Sequence, residues 1–165
     1  MRNVTIEEAF EAAIGAEKAA EDFFHGLEAK FNHNNEVSQL WQQYAEDEAM
    51  HAKWLEALKE KLGQEELSNL VDEDTMQLLD SVAKISVEKT LRKIHDLEDA
   101  YEIVNEIENG ETNAIFRFLI DNFEADEKMR DFLREQLNEH VGRQSIDLPP
   151  QYRGATARRK IKALV

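Results

Sequence analysis

Cysteine is absent from all 165 residues. That excludes disulfides, zinc ribbons, thiolate-held iron and cysteine nucleophiles. Proline occurs only at Pro149 and Pro150, so little in the first nine-tenths of the chain breaks a helix. No run of about 18 apolar residues is present, and no membrane-spanning helix is expected. The opening stretch, MRNVTIEEAF, lacks an apolar segment and carries acids, so it does not read as a signal peptide. Without cysteine or a leader, the expected location is cytoplasmic. Positive charge is also scarce: 20 Lys and Arg stand against 35 Asp and Glu, a net charge of −15. Residues 141–165 hold six of the basic residues and one acid, which leaves 14 basic against 34 acidic, or −20, in residues 1–140. Such a body repels nucleic acid and attracts cations. Neither nucleic acid nor a membrane is an expected partner.

What the chain does have is a 3-and-4 spacing of apolar residues along most of its length, which predicts an all-α fold. A first helix is expected over 5–31, with Thr5 as N-cap and Glu8 three residues on. NHNN at 32–35 reads as a turn, and a second helix over 36–62 stops at Gly63. Residues 64–85 read as a crossover with one short helix. A third helix over 86–108 ends at the Asn-Gly pair 109–110, and a fourth runs over 112–141, before Gly142. Short, long and short connections among four long helices predict an antiparallel four-helix bundle with one crossover. The expected division is a bundle over 1–142 and a basic tail over 143–165.

The predicted core stripes are interrupted by acids. The first helix presents Phe10, Ile14, Glu17, Glu21 and Phe24 on one face, and the second presents Tyr44, Glu48, His51 and Leu55. The third presents Leu91, Glu98 and Tyr101, with His95 at its edge, and the fourth Phe123, Glu127 and Arg130. The two halves also align: Glu17 with Glu98, Glu21 with Glu102, Glu48 with Glu127. Four unpaired carboxylates in one apolar interior repel each other and cost several kcal/mol each, so something cationic must compensate. Glu-x-x-His on one helical face suits a metal. A glutamate from each of two helices plus Glu-x-x-His from the others is the di-iron or di-manganese arrangement of helix bundles. Oxygen-rich ligation with an imidazole favours iron or manganese over structural zinc. Glu17, Glu48, His51, Glu98 and Glu127 are the candidate ligands. Arg130 stands where a second histidine is expected and cannot ligate, so it would modify the site by its charge. His95, one turn before Glu98, is a candidate replacement imidazole. Glu102, Glu124 and Glu21 are candidate additional carboxylates.

The segments AFEAAIGAEKAAEDFF and LWQQYAEDEAMHAKWL resemble the N-terminal half of the rubrerythrin branch of the ferritin-like proteins, and the likeness extends more faintly over 5–140. This resemblance implies a ferritin-like bundle, often a homodimer, with two iron ions bridged by carboxylates. It further implies an oxidoreductase that reacts with peroxide or dioxygen and oxidises ferrous iron. The cysteine-ligated rubredoxin iron of that branch has no counterpart here, so electrons would come from a separate donor protein. No haem or iron–sulfur cluster is expected. Two other readings stay open: a metal-binding protein without turnover, and a structural bundle with a degenerate site.

Overall fold

A computed structural model of the chain describes residues 3–82 and 86–165; residues 83–85 of the expected crossover lie outside it. The first two helices form where the apolar periodicity puts them. Helix α1, Ile6–Lys30, opens on a reciprocal cap in which Glu8 N–H donates to Thr5 Oγ1 at 3.2 Å and Thr5 N–H to Glu8 Oε2 at 2.8 Å. Helix α2, Asn35–Lys61, is capped by Asn34, whose Oδ1 accepts from Val37 N–H. They pack as an antiparallel hairpin. The crossover carries three short helices, α3 (Gln64–Leu67), α4 (Glu73–Val82) and α5 (Val87–Leu91). Backbone hydrogen bonds Ile6 N–H to Asn69 O (2.9 Å) and Val71 N–H to Val4 O (3.0 Å) tie it to the start of α1.

The second half departs from the expected boundaries. Helix α6, Leu97–Glu108, begins at Asp96, whose side chain caps Asp99 N–H at 3.0 Å. Helix α7, Glu111–Phe123, follows after Asn109 and Gly110. Helix α8 runs Glu127–Asp147. The Asn-Gly pair was expected to reverse the chain. It does not, because Gly110 keeps a negative φ of −92° rather than the left-handed conformation of a tight turn. The axis is broken but travel continues: Glu108 lies level with Glu48, the Phe116 ring is 5.0 Å from that of His51, and the Phe123 ring reaches 5.6 Å from Phe10 near the start of α1.

The reversal comes instead at residues 124–126. Beyond it, Arg134 Nε meets Asp121 Oδ1 at 2.5 Å and Arg117 Nη2 meets Asn138 Oδ1 at 2.7 Å. One continuous helix would hold Arg117 and Asn138 about 30 Å apart at 1.5 Å per residue. The bundle helices are therefore α1, α2, the broken pair α6–α7, and α8, with the crossover between the second and third. Asp126 caps α8 through Lys128 N–H (2.9 Å) and Met129 N–H (3.2 Å), and Glu127 sits exposed in its first turn, where an acid suits the helix dipole.

Two apolar clusters fill the interior. One gathers Phe10, Ala13, Leu55, Leu58, Phe116 and Leu137 with their neighbours; the other gathers Phe24, Phe31, Trp41, Tyr44, Leu97 and Val104 with theirs. Between them lies a layer of buried polar side chains, described below.

The expected boundary at 142/143 falls inside α8. A helix-interior glycine costs only about 1 kcal/mol relative to alanine, and Gly142 does not end the helix. The chain then turns at Pro150–Tyr152, forms the short helix α9 (Ala155–Arg159) and docks back. Leu97 N–H donates to Ile161 O (2.9 Å), Ala163 N–H to His95 O (2.9 Å) and Leu164 N–H to Lys30 O (2.8 Å). Buried Arg158 donates from Nε to Glu98 Oε2 and lies 4.1 Å over the Tyr101 ring. No helix among the described residues is long and apolar enough to cross a membrane.

Arg158→Ala would leave the buried Glu98 carboxylate without its partner, and it is expected to lower the unfolding free energy by roughly 3 kcal/mol. Arg159→Ala, at an exposed position, should change it by less than about 0.5 kcal/mol. Urea denaturation of the two variants side by side makes the comparison.

Candidate metal centre

The polar layer comprises Glu17 on α1, Glu48 and His51 on α2, Glu108 on α6 and His140 on α8, all of them buried. Every bundle helix contributes. Glu48 is the hinge of the arrangement: its Oε1 lies 2.9 Å from His140 Nε2 and its Oε2 lies 3.2 Å from His51 Nδ1. Glu108 Oε2 is also 2.9 Å from His140 Nε2, and Glu17 Oε2 is 3.5 Å from His51 Nδ1. Glu17, Glu48 and His51 thus form one group with metal-ligand spacing, and Glu48, Glu108 and His140 form a second. The two imidazoles stand edge to face with ring centres 5.0 Å apart.

Three buried carboxylates flanked by apolar clusters demand positive charge. In the metal-free protein, protons supply it. Burial, reinforced by the neighbouring Glu48, pushes Glu17 well above the ordinary carboxylate range. Burial and the same neighbour raise Glu108. Burial would also raise Glu48, but hydrogen bonds from His140 and His51 prevail and hold it well below that range. The imidazoles respond in the opposite sense. Burial alone would lower His51, yet Glu17 and Glu48 raise it to about 9. Asp47, Glu108 and Glu48 likewise overcome burial at His140 and raise it to about 12. Even so, both oxygens of Glu17 and Oε1 of Glu108 have no hydrogen-bond partner among the described residues. Buried carboxylate oxygens left unpaired are costly, and cations bound in the two groups would satisfy them. The donor set, three carboxylates and two imidazoles, fits hard or borderline divalent ions such as iron and manganese.

A recess of about 340 Å³ opens onto the layer between α2 and α8, lined by Glu46, Asp47, Met50, His51, Trp54, Gln136 and His140. Small molecules and ions can reach the histidines through it.

Of the residues singled out from sequence, the structure brings Glu17, Glu48 and His51 together. Glu98 is buried, but ten residues before Glu108, about 15 Å along the helix, and its partner is Arg158. Glu127 is exposed at the start of α8. His95 has its side chain 78% exposed and pairs with Asp99 at 3.2 Å, so the structure does not bring it to the layer. Arg130 sits at the α7–α8 turn, with Nη1 3.5 Å from Glu124 O, and does not reach the layer. Glu124 is buried at that same turn, accepts from Asp126 N–H and lies 3.5 Å from Lys61. Glu102 is exposed on α6. Glu21 is half-buried near His25, one turn beyond Glu17.

Glu108 and His140 are hidden in the sequence because pairing Glu17 with Glu98 and Glu48 with Glu127 sets the second half ten residues out of register (Glu98 for Glu108, Glu127 for Leu137). A usable signal existed. Glu108 continues the stripe of Ala100 and Val104, and His140 continues that of Leu133 and Leu137. In the corrected register Glu17 matches Glu108, His51 matches His140 and Glu48 matches Leu137, which is buried. The second Glu-x-x-His is therefore Leu137-x-x-His140, with one carboxylate fewer than a symmetrical site.

The fold and this layer define a ferritin-like helical bundle with a buried glutamate–histidine centre. The rubrerythrin family profile matches residues 8–139, and the chain belongs to the rubrerythrin family. A crystal structure from Thermotoga maritima, described as a ferritin-like diiron-carboxylate protein, shares the fold with a TM-score of 0.55 at 16% identity, covering 88% of this chain and 98% of that one. No functionally curated protein matches the sequence.

The raised groups make the metal-free protein base-sensitive. His51 and His140 titrate above the ordinary histidine value, so the stability they contribute is full below about pH 6.5 and is lost as pH rises through about 9 and beyond. Raised Glu17 and Glu108 act in the same direction, whereas depressed Glu48 contributes stability that is lost only in acid. In chelator, urea midpoints should be highest near pH 5–6 and fall toward pH 9. An increase over that interval would contradict the charge arrangement.

Proposed function

We propose that this protein is a non-haem di-iron or di-manganese carboxylate oxidoreductase that reduces peroxide or dioxygen and oxidises ferrous iron. The observation that carries the reading is Glu48, whose two oxygens face separate buried groups at 2.9 and 3.2 Å, as a carboxylate shared by two ions requires. Glu17, Glu48 and His51 would hold one ion, and Glu48, Glu108 and His140 the other. When bound, a redox-active pair supplies the electrons that reduce the oxidant. The chain's own residues do the rest. Glu17, Glu48 and Glu108 set the charge of the centre, and the apolar clusters on both sides keep bulk water out. Glu46 and Asp47 draw cations to the recess, and Met50 and Trp54 narrow its wall to small oxidants. With no cysteine in the chain, reducing equivalents for repeated turnover come from a separate donor.

Leu137 favours a second reading, a metal holder that does not turn over, because it removes one carboxylate from the centre. One experiment separates the two. Protein loaded anaerobically with ferrous iron is analysed for metal and mixed with hydrogen peroxide in a stopped-flow instrument. Two irons per chain, oxidised faster than free ferrous ion, support the enzyme; bound metal with no accelerated oxidation supports the holder; no bound metal overturns both. Glu48→Ala is expected to reduce the stoichiometry from two to one or none, whereas Glu127→Ala leaves it unchanged.

A further inference from the structure

The two halves of the centre differ in how firmly their imidazoles are held. His140 is fixed from both ring nitrogens: Nε2 faces Glu48 and Glu108 at 2.9 Å each, and Nδ1 lies 3.2 Å from Asp47 Oδ2. Asp47 precedes Glu48 on α2, so one turn of one helix supplies both the shared carboxylate and the anchor for the histidine of another helix. With Nδ1–H donating to Asp47, Nε2, which faces the carboxylates, is the nitrogen that would offer a lone pair to an ion once its proton leaves. Glu108 is steadied in turn by Asn113, whose amide donates to its backbone carbonyl across the α6–α7 break. His51 has none of this support. It faces the centre through Nδ1, at the longer distances of 3.2 and 3.5 Å, and its Nε2 has no hydrogen-bond partner among the described residues. Glu17 beside it has neither oxygen hydrogen-bonded.

We propose that the two ion positions are inequivalent, that the Glu48–Glu108–His140 position fills first and holds its ion more tightly, and that Asp47 is the positioning residue responsible. The proposal rests on the two-ion reading above. A carboxylate behind a metal-binding histidine fixes the ring and raises its basicity, and losing such a partner typically weakens metal affinity about 10–100-fold. Among the described residues no carboxylate stands behind His51 in this way, so an ion at its position would exchange with solution through the recess that both histidines line.

Titration of metal-free protein with manganous ion, with the free ion followed by electron paramagnetic resonance, tests this without reference to turnover. Wild-type protein should take two ions in steps at least about tenfold apart. Asp47→Asn should weaken the first step by about 10–100-fold and leave the second nearly unchanged, closing the gap. His51→Ala should abolish the second step and keep the first. Metal-free urea denaturation shows whether Asp47→Asn is folded; should it not fold, the wild-type split and His51→Ala still decide. Two equal steps in the wild type, or loss of the first step in His51→Ala, would overturn the ordering. Equal weakening of both steps by Asp47→Asn would overturn its positioning role. Failure of any ion to bind would overturn the two-ion reading itself, and this proposal with it.

Discussion

Three carboxylates and two imidazoles buried between two apolar clusters impose the constraint to which the other features of this molecule answer. Such groups can be buried only if their charges are balanced locally and their lone pairs find partners. Protons meet the first requirement in the metal-free protein, and among the described residues the second is not fully met, since Glu17 and Glu108 keep unpartnered oxygens. A buried layer of this kind lowers stability relative to an apolar one of the same size.

The first half of the fold was legible because nothing there competes with the period. Thr5 with Glu8, the turn at 32–35 and apolar stripes that resume on either side of Glu17 and Glu48 agree on one answer. Glu48 and His51 stood out as polar groups on an apolar face, and the structure buries both. The second half was misread at two points where local chemistry points both ways. Asn-Gly at 109–110 is a strong turn signal, yet with a negative φ it serves as a break in a helix that keeps its direction. Glu-Ala-Asp at 124–126 continues a helical pattern, yet it is where the chain reverses. Tertiary packing decides both, and no local propensity does. The register error followed, and it hid Glu108 and His140 while promoting Glu98 and Glu127.

Glu98 shows why a buried acid on a core stripe is not by itself a ligand. Its compensation comes from Arg158, sixty residues further along the chain (158 − 98). Periodicity within α6 carries no trace of a partner that distant. The basic C-terminal segment is thereby part of the folded body: it closes over the start of α6 and the α1–α2 turn, at the end of the bundle away from Phe10 and Phe123. Glu124, similarly buried, is matched by Lys61 at the opposite end. Three acids that look alike in sequence (Glu48, Glu98 and Glu124) thus meet their positive charge in three different ways.

The break at Asn109–Gly110 also bears on how the molecule assembles. Glu17, Glu48 and His51 all lie on the α1–α2 hairpin, within 35 residues of one another (17 to 51), so half of the polar layer is made of local contacts. The other half joins Glu48 to Glu108 and His140, across the crossover and across a third helix formed in two pieces. Closing longer loops costs more chain entropy and slows the search for contacts. The hairpin half therefore needs only the shorter loop closure, whereas the half with the better-held histidine needs α8 docked as well, so the loop lengths run opposite to the number of contacts that fix each imidazole.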